Sequence, residues 1–291
     1  MNKEKGFVTI GMPVYNGEKF IRAAIQSFLQ QTYRNFELII SDNASTDMTE
    51  SICREYAVKD KRIKYVRQPQ NFGGGHNFTF VLDEACGEYF MWAACDDVFS
   101  KNFVEINQKF LSKNPDYVAS TCPTGFDVGP LNQQTLVDFS LNGNVVERFI
   151  KFFDYSYVSH GIFYSLIRTD VLRGCEFVGQ DFFASDWALD LYLALKGKVN
   201  RCSDGYTIFG VNGLSHSPDI YKMTRVHKVE VVFPFFTFTR HIIKLVSELT
   251  LKHKLRIFCI LVKLNITGAI GKVYSNVFFT YKRLTNSKEL I

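Results

Sequence analysis

The sequence predicts an α/β fold: a doubly wound, mostly parallel sheet followed by a helical extension. Three observations predict it. Over residues 8–122, short apolar runs alternate with stretches of helical periodicity, which is the order a parallel sheet with crossover helices requires. The junctions between them are rich in Gly, Pro, Asn and Asp, residue types that turn the chain. Past about residue 230 the texture changes to apolar residues broken by Lys and Arg. The expected division is therefore an α/β domain over 1–229, with halves over 1–122 and 123–229, and a basic amphipathic helical tail over 230–291.

Each element has its own reason. Val8 to Met12 reads as a strand stopped by the turn Pro13-Val14-Tyr15-Asn16-Gly17. Phe20, Ile21, Ala24, Ile25, Phe28 and Leu29 recur at helical spacing, turning Arg22, Gln26 and Gln30 to water. A second strand, Phe36 to Ser41, ends at Asp42. Asp47 and Glu50 have capping-box spacing for a helix with Ile52, Cys53 and Tyr56 on its buried face. Ile63 to Val66 is a third strand, and a loop over 68–76 leads to a helix expected over Phe78 to Ala85. In the second half, Tyr117 to Cys122 and Gly161 to Arg168 read as strands around a Gly/Pro/Asn-rich stretch. Asp186 to Lys196 reads as a helix stopped by Gly197, and Val199 to Val211 as edge strands.

Composition narrows the classes. With 291 residues and 46% hydrophobic content the chain can bury a large core. A net charge of +5 without a Lys/Arg stripe interleaved with aromatics over the first 220 residues argues against a nucleic-acid partner. The seven cysteines form no CxxC pair and read as reduced thiols. Met1 to Gly6 carries no apolar leader, so a cytoplasmic protein is expected, with the Asn43, Asn77 and Asn265 sequons unglycosylated.

The most telling stretch is Tyr89-Phe90-Met91-Trp92-Ala93-Ala94-Cys95-Asp96-Asp97, an apolar strand running into two carboxylates. A strand apolar on both faces lies inside a sheet, and its carboxyl end is presented where open α/β sheets bind ligands. Two acids there with no neighbouring base favour a cation. A helix N-cap is the competing reading of the pair, and Cys95 reads as a packing residue.

Together with Pro13-Val14-Tyr15-Asn16, Ser41-Asp42-Asn43-Ala44-Ser45-Thr46-Asp47 and Asn71-Phe72-Gly73-Gly74-Gly75-His76-Asn77, this stretch resembles the nucleotide-sugar half of family-2 glycosyltransferases. The similarity runs from about Val8 to Val104 and resumes at Ser185-Asp186-Trp187. It implies the glycosyltransferase A-type fold and an inverting, hexosyltransferase-type enzyme that uses a UDP- or dTDP-sugar. The implied acceptor is a glycan or lipid-linked glycan of bacterial surface-polysaccharide synthesis. Pro13, Tyr15, Asp42, Asn71 and Asp96 are the expected nucleotide-sugar contacts. Asp42 would accept a hydrogen bond from the base imide N–H, with Tyr15 stacked on the ring; a turn or cap is the other reading of Asp42.

Asp96 and Asp97 would hold Mg²⁺ or Mn²⁺, hard cations that prefer carboxylate and phosphate oxygens. Family members often carry Asp-x-Asp, whereas Ala94 stands here in place of the first acid. His216 is the implied third metal ligand, with an ordinary loop histidine as the alternative. Asp186 is the implied general base; its competing reading is an acid favoured by a helix N-terminus. The glycine run lacks GxGxxG spacing and reads as backbone passing close to a nucleotide.

Lys and Arg recur too often beyond residue 230 for a membrane span. A segment lying in the interface of the inner face of the cell membrane, or a helical subdomain packed on the core or in a dimer, fits the pattern. A nucleotidyltransferase and a non-catalytic nucleotide-sugar-binding homologue are the alternative functions. The first would be expected to carry a basic nucleotide-grasping loop near the first strand, which Pro13 to Lys19 is not.

Overall fold

The structure, a computed structural model, describes residues 5–126, 139–155, 161–210 and 223–286. The chain forms two compact units: Met1–Asp181 with Leu189–Ser217, and Phe182–Ala188 with Pro218–Ile291.

In the first unit, β1 (Val8–Val14), β2 (Phe36–Asp42), β3 (Ile63–Arg67) and β4 (Tyr89–Trp92) alternate with α1 (Ile21–Leu29), α2 (Thr49–Lys59) and α3 (Gly74–Asp83). After β5 (Val98–Phe99) come α4 (Phe103–Lys113), β6 (Tyr117–Thr121), β7 (Thr124–Phe126), α5 (Val145–Asp154), β8 (Leu166–Arg168) and α6 (Thr169–Arg173). Then follow α7 (Ser185–Lys196), β9 (Lys198–Arg201) and β10 (Thr207–Phe209). Seven strands form one sheet in the order β3-β2-β1-β4-β8-β6-β9. All its pairs are parallel except those of β8, which runs antiparallel to β4 and β6. The predicted mostly parallel sheet is therefore observed.

The alternation builds this sheet because each helix has an apolar face to bury. α1 buries Ile21, Ala24, Ile25 and Phe28, the face its spacing predicts. β4 is buried at every position, as a central strand must be. Trp92 is fully buried, stacks on Phe163 at 4.9 Å and donates Nε1–H to the Phe78 carbonyl at 3.0 Å. Truncating a core aromatic of this size typically costs about 3–5 kcal/mol.

Several local expectations are corrected. Asp47 and Glu50 form no capping box: α2 starts after Met48 with no side-chain cap. Asp47 instead accepts from Thr49 N through Oδ1 and from Glu18 N through Oδ2, both at 3.0 Å. The helix expected from Phe78 begins four residues earlier, because Gly73 adopts φ +90° and turns the glycine run into its start. Of Gly161 to Arg168 only Leu166–Arg168 is strand. Of Val199 to Val211, β9 is an edge strand as expected, but β10 is the middle strand of a separate sheet, β5-β10-β7. That sheet also takes Phe99 into a strand where a helix cap was the competing reading.

In the second unit, a 3-10 turn over Lys228–Val231 precedes α8 (Phe236–Leu245) and α9 (Leu251–Asn286). Glu230 accepts from the backbone N–H groups of Val226, His227 and Thr237, tying the turn to the first turn of α8. Trp187 stacks on Phe235 at 5.7 Å and meets Phe238 edge-on, and Phe182 stacks on His241. The division between the units falls within α7, between Ala188 and Leu189. Among the described residues no helix is long and apolar enough to cross a membrane.

Candidate active site

Strand order places the site. The chain leaves β1 for β2 and β3 on one side and returns to β4 on the other, so the sheet's switch point lies between β1 and β4. In open α/β sheets ligands bind outside the carboxyl ends of the strands at such a point. Tyr15 follows β1 and is 49% exposed. Pro13, within β1, pairs with Ser41 of β2.

The loops at this edge are bonded to one another. Asn16 and Gly17 donate their N–H groups to Ser45 Oγ and Thr49 Oγ1, each at 2.8 Å. Thr46 N–H returns to Asn16 Oδ1 at 2.8 Å, and Met48 N–H to Glu18 Oε2 at 3.0 Å. Asn43 donates Nδ2–H to Asn71 Oδ1 at 2.8 Å and to the Gly73 carbonyl at 3.1 Å. Its Oδ1 accepts from Phe72 N. Asn71 therefore braces the second loop against the third. A Cβ on Gly73 or Gly74 would meet nothing within 4 Å, whereas one on Gly75 would fall 2.3 Å from the Gly179 carbonyl. The first two glycines thus leave open space at the edge, and the third is required by packing. Among the described residues the non-glycines with positive φ are Asn16, Ala44 and Ala184. Two of the three lie in these loops, in conformations that cost on the order of 1–3 kcal/mol and concentrate at functional sites.

Asp42 is fully buried. Its Oδ1 accepts from Ser45 N at 2.8 Å, and its Oδ2 from Tyr65 Oη at 2.6 Å and Arg67 Nη1 at 2.9 Å. Arg67 also pairs with Glu50 at 3.2 Å. Reading Asp42 alone missed Tyr65 and Arg67. Their two-residue spacing puts both on one face of the next strand, but the register that sets Arg67 beside Asp42 comes from the pairing of the strands. Desolvation and the hydrogen bond to Asp42 push the Tyr65 hydroxyl well above its ordinary range, so it stays a donor to the carboxylate.

Asp96 and Asp97 face different surroundings. Asp97 is buried, and its Oδ1 accepts from Gly210 N at 3.0 Å, while among the described residues Oδ2 has no hydrogen-bond partner. Burial pushes its carboxyl up to about 7, opposed by the Gly210 N–H. Asp96 is partly exposed and lies so close to Gly210 that a Cβ there would come within 2.2 Å of its Oδ2. Gly210 was not foreseen, because β10 brings it to the acids from 113 residues away. Among the described residues no three His, Cys, Asp or Glu side chains converge as a metal site would require. The acids fit an ion that takes most of its ligands from a substrate, as Mg²⁺ does beside phosphates.

Asp186 lies in the first turn of α7, two residues after Ala184 (φ +65°). It is exposed, yet dense surrounding protein raises its carboxyl, opposed by the backbone N–H groups of Trp187 and of Asp186 itself. Because water reaches it, screening limits that push. The first unit thus assembles Pro13, Tyr15, Asp42, Asn71, Asp96 and Asp97 along one sheet edge, Asp186 belongs to the second unit, and His216 lies outside the described residues.

Cross-tied loops and acids at the carboxyl edge of a mostly parallel sheet, beside its switch point, define an α/β protein of the doubly wound class. Residues 9–172, more than half of the chain, match the family model described as Glycosyl transferase family 2, and the chain belongs to that family. It is 37% identical over 112 residues to an uncharacterized glycosyltransferase of Rickettsia typhi, a match covering 38% of this chain and 34% of that one. Glycosyltransferase GlyG of Streptococcus pneumoniae is 30% identical over 112 residues, covering 38% and 37%. The chain thus spans about a third of the length of these curated relatives. S. aureus TarS 1–349 in complex with UDP-GlcNAc superposes with a TM-score of 0.68 at 18% identity, over 90% of this chain and 73% of that one. The mannosyltransferase PcManGT of Pyrobaculum calidifontis, in complex with GDP-Man and Mn²⁺, gives 0.54 at 17%, over 95% and 79%. These two likenesses establish the shared fold.

Proposed function

We propose that the chain is an inverting, metal-dependent glycosyltransferase that moves a sugar from UDP or dTDP to a glycan or lipid-linked glycan in bacterial surface-polysaccharide synthesis. The observation that carries this reading is the spacing of the acids across one sheet edge. Asp42 ends β2 and Asp96 follows β4, with β1 between them. Two strand spacings amount to about 10 Å, comparable with an extended nucleoside diphosphate. The base lies at the Asp42 end, against Tyr15, and the diphosphate at the Asp96 end.

Asp42 receives the base imide once Arg67, which already touches Glu50, yields its place on the carboxylate. Asp96, the more exposed acid, would hold Mg²⁺ or Mn²⁺. Asp97 stands behind it and anchors the Gly210 backbone, and His216 is the third candidate ligand. The ion, when bound, neutralises charge on the departing diphosphate, an effect worth several kcal/mol. Asp186 accepts the acceptor hydroxyl's proton as that oxygen attacks the anomeric carbon. A lipid-linked acceptor brings the enzyme to the inner face of the cell membrane, which residues 230–291 contact.

The test is donor turnover with Mn²⁺ across UDP-, dTDP- and GDP-sugars, in wild type and Asp186→Asn. The expected outcome is uridine or thymidine diphosphate release by wild type, with transfer about 10²- to 10⁴-fold slower in the variant and nucleotide binding unchanged. Nucleotide binding without release from any donor would favour a non-catalytic binding protein, and pyrophosphate release a nucleotidyltransferase. Equal transfer by Asp186→Asn would remove it as the base.

A further inference from the structure

The long C-terminal helix has two apolar faces, and its own unit covers one of them. α9 buries Ile257, Leu261 and Leu264, whose spacing of four and three puts them on one side. α8 contributes the buried Phe238 and Ile242. The two helices are tied by the Asn265 Nδ2–H donated to Thr239 Oγ1 at 2.7 Å, and Gly268 lies against Pro234 and Phe235. This is the face a helical subdomain requires.

The opposite side carries a second stripe. Leu251, Leu255, Phe258, Val262, Ile266 and Ile270 are all between 39% and 71% exposed. At 100° per residue they form a band centred on the side away from Ile257, about 30 Å long at 1.5 Å per residue. Lys252, Arg256 and Lys263 run along one border of the band and Lys254 lies beyond the other. Leu251–Asn286 contains no Asp or Glu.

We infer that this stripe is a docking face for an anionic lipid bilayer, with α9 lying flat in the headgroup layer and Lys252, Arg256 and Lys263 on lipid phosphates. The inference deepens the membrane-contact reading of residues 230–291 by naming the face and the lipid charge. Charge complementarity selects the occupant. Apolar side chains bordered by cations, on a helix without acids, match an interfacial helix on anionic lipid. A second copy would bring like charges together. The stripe also steps by 4, 3, 4, 4 and 4 and drifts around the helix, whereas a coiled-coil seam keeps a heptad.

Co-sedimentation of the full chain with phosphatidylglycerol/phosphatidylethanolamine vesicles and with phosphatidylcholine vesicles tests this. Wild type should partition at least about tenfold more strongly onto the anionic vesicles and lose that preference in high salt. Leu255→Ser with Phe258→Ser and Val262→Ser should abolish binding while leaving circular dichroism unchanged, since all three side chains are exposed. Lys252→Gln with Arg256→Gln and Lys263→Gln should remove the preference for anionic lipid. No binding by wild type would overturn the membrane reading of the tail altogether. Binding unchanged by the serine variant would overturn this face alone. Self-association lost in the serine variant, without vesicle binding, would assign the stripe to a second copy.

Discussion

Glu37 and Asp97 are both buried carboxylates in the first unit, near opposite edges of the main sheet, and their surroundings are opposite. At the amino edge, Glu37 Oε1 accepts from Thr9 Oγ1 at 2.7 Å and Cys86 Sγ at 2.9 Å, and Oε2 pairs with Lys64 at 2.5 Å. Burial pushes its carboxyl up, but the bonds from Cys86, Lys64 and Thr9 outweigh that and hold it below its usual range. Near the carboxyl edge, Asp97 accepts from the Gly210 backbone, has an oxygen without a partner among the described residues, and has a carboxyl raised by burial to about 7. The loops around the amino-edge acid close on themselves. At the carboxyl edge the loops after β1, β2 and β3 are bonded to one another and hold Asn16 and Ala44 at positive φ, while among the described residues one Asp97 oxygen has no partner. The difference is one of satisfaction: Glu37 has donors on both oxygens, whereas among the described residues Asp97 has a donor on one oxygen and none on the other.

Breaking the open end should have the largest effect. Asp96→Asn is expected to lower metal-dependent donor turnover by about 10³-fold or more, with thermal stability within about 1 kcal/mol of wild type, since the side chain is partly exposed. Calorimetry should show Mn²⁺ binding weakly alone and tightly with UDP, and the variant losing the UDP-dependent part. Tight Mn²⁺ binding without nucleotide would contradict a shared coordination sphere.

Breaking the closed end should cost stability and spare chemistry. Glu37→Gln weakens charge-assisted bonds worth about 1.5–3 kcal/mol each, so the expected loss by urea denaturation is of that order. The sign with pH follows from the depressed carboxyl. Glu37 contributes stability above the ordinary glutamate value of about 4.3, and that contribution disappears as pH falls through the folded-state value. The variant should therefore lose less stability than wild type on acidification below that value. Parallel acid-side curves would sink the claim that these bonds hold Glu37 ionised.

Ala44 gives the smallest and sharpest contrast. At φ +60° its Cβ is strained by about 1–2 kcal/mol, while glycine adds unfolded-state entropy of about 0.4–1 kcal/mol. Ala44→Gly should therefore raise stability by no more than about 1.6 kcal/mol. A fall in Tm would show that the loop imposes no strain.

Much of this comparison was legible beforehand. The period of the first four strands and three helices is local, so the parallel sheet and the strand end at Asp42 followed from it, whereas β4 stops at Trp92 and leaves Asp96 in the turn beyond. Asp47 misled because its capping pattern is also satisfied by a loop-to-loop bond to Glu18, and only the approach of the first loop to the second decides between them. The short, irregular segments after Thr121 carried no clear period, which is why the β5-β10-β7 sheet went unread.

The sequence by itself determined the order of elements, the buried faces and the acids at the carboxyl edge, because backbone preference and side-chain periodicity act over a few residues. The tertiary structure alone decided that Tyr65 and Arg67 occupy Asp42, that Gly210 holds Asp97 and that α7 is shared between two units. Those outcomes depend on which surfaces meet across distances of up to 113 residues, where packing rather than local propensity chooses the partner.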